Sequence, residues 1–274
     1  MKGKPHLDRA ILLSDDEEIT LERYLARFPP APDVEAPALI CPLCRAAVHL
    51  SHMHDRGRTP TLLHVAGEHA NCPLVNLDFA SAAFAIADRY DPRFEHERRE
   101  RFMARWALYL TEIRRYVPAY SVSRFVATLE HANVLHIWSC RTLTEADVLY
   151  VFLALASFIA ETPGASHSSW LRFVFDASVM GVNDLHRDDR PPPRFFRLHY
   201  RSSHQAMFPN ANQLLDWREV PMTDTFLSRE NVIVPEADVK AFAGLTAFRR
   251  FRIEDMDDGP VIPIQPRKRI TPGL

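Results

Sequence analysis

Residues 39–76, LICPLCRAAVHLSHMHDRGRTPTLLHVAGEHANCPLVN, decide how the chain is read. They hold Cys41, Cys44 and Cys72, three of the four cysteines, with histidines spread between them. With His64 as the fourth member, the pattern is C-x2-C-x19-H-x7-C. A Cys-x-x-Cys turn lets two thiolates reach one ion from a single knuckle, and a second segment supplies the rest. A d10 ion such as zinc accepts the tetrahedron that results. Three thiolates and one imidazole leave no position open for water, which points to a structural ion rather than a catalytic one. The expected metal ligands are therefore Cys41, Cys44, His64 and Cys72, and the expected cofactor is zinc. His69, in the loop before Cys72, is the rival to His64, and His49, His52 and His54 are further candidates.

Working outward, 46–50 (AAVHL) and 61–65 (TLLHV) have strand character, and the polar turn 54–58 between them suggests a hairpin with the knuckle at its entrance. Upstream, 9–13 (RAILL) reads as a strand, and 19–28 (ITLERYLARF) as a strand running into a short helix. Prolines at 29, 30 and 32 mark a loop.

Downstream the period becomes helical. Helices are expected over 78–89, 95–116, 121–137 and about 144–160, the last opened by Thr144 with Glu145 and Asp147 behind it. Beyond 168, strands are expected at 169–176, 194–200 and 231–234. Residues 235–243 read as a helix start with proline at an early position. The sum is an α+β protein: a zinc ribbon with a β-hairpin over 1–76, a helical middle with mixed C-terminal strands over 77–262, and a flexible tail over 263–274.

The chain has 274 residues, and 33 Lys and Arg balance 35 Asp and Glu for a net charge of −2. No whole-protein field drives it onto nucleic acid or an anionic membrane, so any such site must be a local patch. The eight glycines form neither a G-x-G-x-x-G nor a Walker A loop. The N-terminus has no apolar segment behind its lysines, and the apolar run within 148–160 is too short to span a bilayer. A cytoplasmic protein without a membrane partner is expected, and in such a chain clustered cysteines favour metal over disulfides. Cys140, near Trp138, reads as a buried small hydrophobe.

Residues 9–76 resemble the N-terminal zinc-binding region of the competence protein CoiA-like family. The resemblance rests on Cys41-Pro42-Leu43-Cys44, His64-Val65-Ala66-Gly67 and Cys72-Pro73-Leu74. The sequence departs from the family at Gly67, where a second histidine is often found. About a quarter of the chain is covered. The resemblance implies a bacterial protein connected with DNA handling.

Such proteins often carry a nuclease core, whose chemistry needs an acidic residue on one strand and an acidic-x-Lys on the next to hold Mg²⁺. The nearest match is Asp238-Val239-Lys240 with Asp176, although 235–243 reads as helix. The loop residues Asp184, His186, Asp188 and Asp189 are read as solvated and neutralised by Arg187 and Arg190. The arginines around 98–115 are interleaved with acids, as Glu97–Arg101 and Glu95–Arg99 at i,i+4 spacing illustrate. A sharper basic candidate is Phe248-Arg249-Arg250-Phe251-Arg252. As a strand it would place Arg250 and Arg252 on one face and Arg249 on the other. Arg249, Arg250 and Arg252 are thus the expected nucleic-acid contacts. No catalysis is expected; the partner is nucleic acid or a nucleoprotein complex, with a Mg-dependent nuclease and a protein-interaction adaptor in a bacterial complex as alternatives.

Overall fold

The computed structural model describes residues 7–29, 36–51, 59–65, 72–75, 90–161, 169–189, 191–202, 208–230 and 232–254, with side chains as far as 247. The chain divides into a unit Met1–Val234 and a second unit Pro235–Leu274. The class is α+β, as expected.

The first sheet is antiparallel and built from short strands: β1 (Arg9–Leu12), β2 (Glu18–Thr20), β3 (Leu39–Ile40), β4 (Ala47–Ser51) and β5 (Thr61–His64), in the order β2-β1-β3-β4-β5. Helix α1 (Leu21–Arg27) follows β2 directly. It starts there because the Thr20 hydroxyl accepts from the Arg23 amide and satisfies one of the helix's orphan donors. Cross-strand partners share a face, so Ala10, Ile19, Leu12, Leu39, Val48 and Leu62 line one side of the sheet. All six are buried.

The second sheet is β6 (Ile159–Ala160), β7 (Trp170–Phe175), β8 (Phe195–Tyr200) and β9 (Leu214–Glu219), antiparallel and in sequence order. One face carries Val174, Phe196, Leu198, Tyr200 and Trp217, and these join the buried side of the first sheet in a single hydrophobic cluster. The other face carries Phe173 and Phe195, which meet Tyr116 and Tyr150 of the helical layer at ring distances of 6.3 and 5.3 Å. That layer is α2 (Pro92–Ala104), α3 (Trp106–Tyr116), α4 (Val122–Val134) and α5 (Glu145–Leu155). Its centre is Phe102, whose ring touches Tyr109, Phe125, Trp138 and Phe152. The ribbon, the second sheet and the helices are therefore three stacked layers of one unit. A boundary drawn at residue 76 cuts through a shared core, and the break between units falls after Val234.

Several expected elements are corrected. The helix expected over 95–116 is two helices, because Arg105 leaves helical geometry at φ −115°, ψ 13°. Its guanidinium instead reaches Glu145 at 2.8 Å and the Leu227 carbonyl at 2.6 Å. The helix expected over 121–137 stops at Val134, and Ile137–Ser139 forms a 3-10 turn after the left-handed His136. The helix expected to reach 160 stops at Leu155; Ser157 turns left-handed at φ 57°, and Ile159–Ala160 pairs with Leu171 and Trp170 as a strand. Residues 232–234 form no strand, whereas β9, not expected, closes the sheet. The helix expected over 78–89, the turn 54–58 and the tail 263–274 lie outside the described residues.

In the second unit, α6 (Glu236–Glu254) runs through residues 248–252. The strand alternation expected for Arg249, Arg250 and Arg252 is thus replaced by helical spacing. Glu236 and Asp238 in the first turn favour the helix dipole, and Glu236 pairs with Lys240 one turn on at 2.7 Å.

Candidate metal centre

The knuckle is a tight turn between β3 and β4. The Cys41 amide donates to the Ala46 carbonyl at 2.8 Å, and the Arg45 amide donates back to the Cys41 carbonyl at 2.9 Å. Closing the loop this tightly forces Arg45 to φ 60°, a left-handed conformation that glycine adopts without cost and arginine does not. Leu43, between the cysteines, is fully buried, and its carbonyl accepts from the Ala177 amide at 2.7 Å, just past β7. The knuckle is therefore tied to the second sheet by apolar contact and by a backbone hydrogen bond.

His64 ends β5 and pairs with Val48, so its side chain lies on the buried face of the first sheet. His49 pairs with Leu63 on the opposite face, which removes it as a rival ligand. His52, His54 and His69 lie outside the described residues. Cys72 opens a turn closed by the Val75 amide donating to its carbonyl at 3.0 Å.

These elements bring all four expected ligands together. The donor atoms of Cys41, Cys44, His64 and Cys72 lie within 4.8 Å of one another. Cys41 Sγ stands 4.0 Å from Cys72 Sγ, and Cys44 Sγ stands 3.3 Å from His64 Nε2. A tetrahedron with metal–sulfur bonds of about 2.3 Å and a metal–nitrogen bond of about 2.0 Å has edges of about 3.8 Å (S–S) and 3.5 Å (S–N). The Cys41–Cys72 and Cys44–His64 separations lie within about 0.2 Å of those edges, so the group can close around a tetrahedral ion.

The thiols are not independent. Burial pushes the Cys41 thiol up to about 12. Hydrogen bonding with Cys41 and Cys72 pulls Cys44 well below the usual thiol range, and hydrogen bonding with Cys41 and Cys44, followed by burial, holds Cys72 well above it. One ionised sulfur is tolerated and the next is resisted. A divalent cation among them reverses that balance and releases protons as it binds. The Cys3His group can hold a metal ion.

No protein-family model, curated protein or solved structure matches the chain.

The other sequence candidates fall elsewhere. Asp176 is buried at the end of β7, where it accepts from the Ser178 amide and hydroxyl and from the Arg194 amide; it holds a loop together. Asp238 and Lys240 lie on a helix, as the sequence indicated, so they do not form a strand-borne acidic-x-Lys pair. Asp184 caps a 3-10 turn at the Met180 and Gly181 amides, and Arg187 pairs with Asp184 and Asp189, the Arg187 part of the expected neutralisation; Arg190 lies outside the described residues. Cys140 is buried and its thiol donates to Asn183 at 2.7 Å. On α2, Glu95 accepts from Ser139 of the 3-10 turn and contacts His136 just before it, and Glu97 pairs with Arg93.

One feature had no sequence signal. A cavity of about 350 Å³ beside the knuckle is lined by Asp16, Glu18, Arg45, Asp176, Ser178 and Arg194. Two ion pairs lie within it, Arg45 with Asp16 at 2.8 Å and Arg194 with Glu18 at 2.6 Å. These pairs join residues far apart in sequence, and no local pattern announces them.

Proposed function

We propose that the protein is a zinc-stabilised bacterial binding protein of the cytoplasm that engages nucleic acid or a nucleoprotein partner, with no chemistry at the metal. The observation that carries this reading is the closed Cys3His group, two of whose sulfurs are completely buried. Three thiolates and an imidazole at tetrahedral separations suit zinc above harder ions, which prefer oxygen. A closed ligand set leaves no site for a reacting water, so the ion serves the fold. Among the described residues no helix is long and apolar enough to cross a membrane, and no membrane partner is proposed. The link to nucleic acid rests on the CoiA-like pattern of the ribbon and on the arginines at 249, 250 and 252.

The test is fluorescence anisotropy of the zinc-loaded chain with single- and double-stranded DNA and RNA across a salt series. Binding should weaken steeply as salt rises, because phosphate contacts release counterions. Reversing charge at Arg250 and Arg252 should weaken it further and flatten the salt slope by about one per lost phosphate contact. Absence of binding at low salt sinks the nucleic-acid reading and leaves a protein partner.

A further inference from the structure

The cavity beside the knuckle contains one charge that its neighbours leave unmatched. Its volume of about 350 Å³ falls in the range of small-molecule sites. Of the ionisable groups that line it, Arg45 is taken by Asp16 and Arg194 by Glu18. Behind the lining, Glu18 also meets Arg9 at 3.4 Å and Arg194 also meets Glu219, so that chain is itself two cations against two carboxylates. Asp176 is left over. It is only 6% exposed, yet it lines the cavity. Its carboxylate accepts from the Ser178 amide and hydroxyl and from the Arg194 amide, all neutral donors, and among the described residues no cation pairs with it. Three carboxylates against two guanidiniums leave the lining with a formal charge of one negative.

Burying a carboxylate without a cation is costly, and neutral donors offset only part of the cost. The cavity therefore lacks a single positive charge. A metal ion does not suit it, because among the described residues the Cys3His group is the one place where three or more such donors converge. An anion is opposed by the net charge. Ile11, Pro191 and Pro192 add an apolar wall, which suits a hydrocarbon body. We propose that this cavity binds a small organic monocation, an amine whose ammonium donates to Asp176 while its hydrocarbon body lies against Ile11 and the two prolines. Asp16 and Arg45, left-handed at φ 57° and 60°, face each other on its exposed side. Their exposed ion pair is too weak to offset the strained backbone of Arg45, and strain of this kind gathers at ligand clamps. The inference is independent of the nucleic-acid reading.

The test titrates the full zinc-loaded chain with four probes, followed by ligand-observed NMR. Phenethylammonium and n-butylammonium are the amines, 2-phenylethanol is the neutral analogue and 3-phenylpropanoate the anionic one. The amines should bind, the alcohol about 10-fold more weakly because it forms no charge-assisted bond, and the anion not at all. Asp176→Asn, which keeps the shape and an acceptor oxygen, should erase the preference for amine over alcohol. Arg45→Gly releases Asp16 and makes the cavity more negative, so it should tighten the amines by about two- to five-fold, the weight of one exposed charge. A wild-type chain that takes neither amine, or takes the alcohol as tightly, overturns the proposal. So does an Asp176→Asn chain that melts like wild type and keeps the preference. Should Asp176→Asn fail to fold, unchanged or weaker amine binding in Arg45→Gly overturns it instead.

Discussion

Stripping the metal with a chelator should loosen more than the ribbon that carries the cysteines. Cys41, Leu43 and Cys72 are fully buried, and they share one cluster with Val174, Phe196, Leu198 and Tyr200 of the second sheet. The Leu43 carbonyl also accepts from the Ala177 amide, at the end of β7. Once the four ligands are released, the knuckle has no reason to hold Leu43 in place, and the inner face of the second sheet loses its cover. The size of the effect follows from linkage. With free zinc at about 1,000 times its dissociation constant, the folded state gains about 4 kcal/mol. For a unit that runs to Val234, each kcal/mol moves the melting midpoint by about 2–4 °C, so chelation should lower it by about 8–16 °C. Melting with and without chelator gives the shift, and amide exchange locates it. Protection should fall in β7 and β8 as well as in β3, β4 and β5. Unchanged melting refutes a structural metal. Exchange confined to the ribbon, with β7 and β8 as protected as before, refutes the shared core.

Two further expectations follow from single residues. Arg45→Gly removes a left-handed arginine and, with it, an ion pair to Asp16 whose partners are 40% and 62% exposed. Relief of strain of about 1 kcal/mol should outweigh an exposed pair worth under about 1 kcal/mol, so the urea midpoint should rise while zinc affinity holds; a lower midpoint would count against the strain argument. Alkaline stability should also fall. Burial pushes the phenol of Tyr120 up to about 12 and holds Tyr109 and Tyr200 above the usual range. A group that keeps its proton longer when folded stabilises the unfolded state once pH passes the unfolded pKa near 10, and each such phenol removes about 1.4 kcal/mol per pH unit. Denaturant midpoints that stay flat from pH 10 to 11.5 would show that these phenols are not buried.

The parts of the fold that were legible in the sequence are those written in a local pattern. The knuckle is a spacing, and β4, β5, β7 and β8 each carry a run of strand formers. Within 61–64, Leu62 and His64 share the face that Leu63 does not, which puts His64 on the side of the cysteines. Failure came where the pattern was too short or absent. Only Trp217 is buried in β9, so its six residues show no period of two. Residues 232–234 offer strand propensity without a partner strand, and Ile233 is 92% exposed. Residues 248–252 were weighed as a strand in isolation, but they continue a helix that begins at Glu236. The cavity pairs were out of reach because their partners lie on other elements.

The short strands also give a metal held by the Cys3His group a structural task. β3 has two residues, β2 three, β1 and β5 four and β4 five, lengths at which a sheet on its own is marginal. Closing the knuckle, the end of β5 and the Cys72 turn onto one ion replaces strand length with four bonds at the point where the ribbon meets the second sheet. An ion held there would serve the interior, because Cys41 and Cys72 face the core. Loss of binding in a Cys41, Cys44 or Cys72 variant would therefore report on folding. Only a change that leaves metal content and melting intact, such as charge reversal at Arg250 and Arg252, can report on contact with a partner.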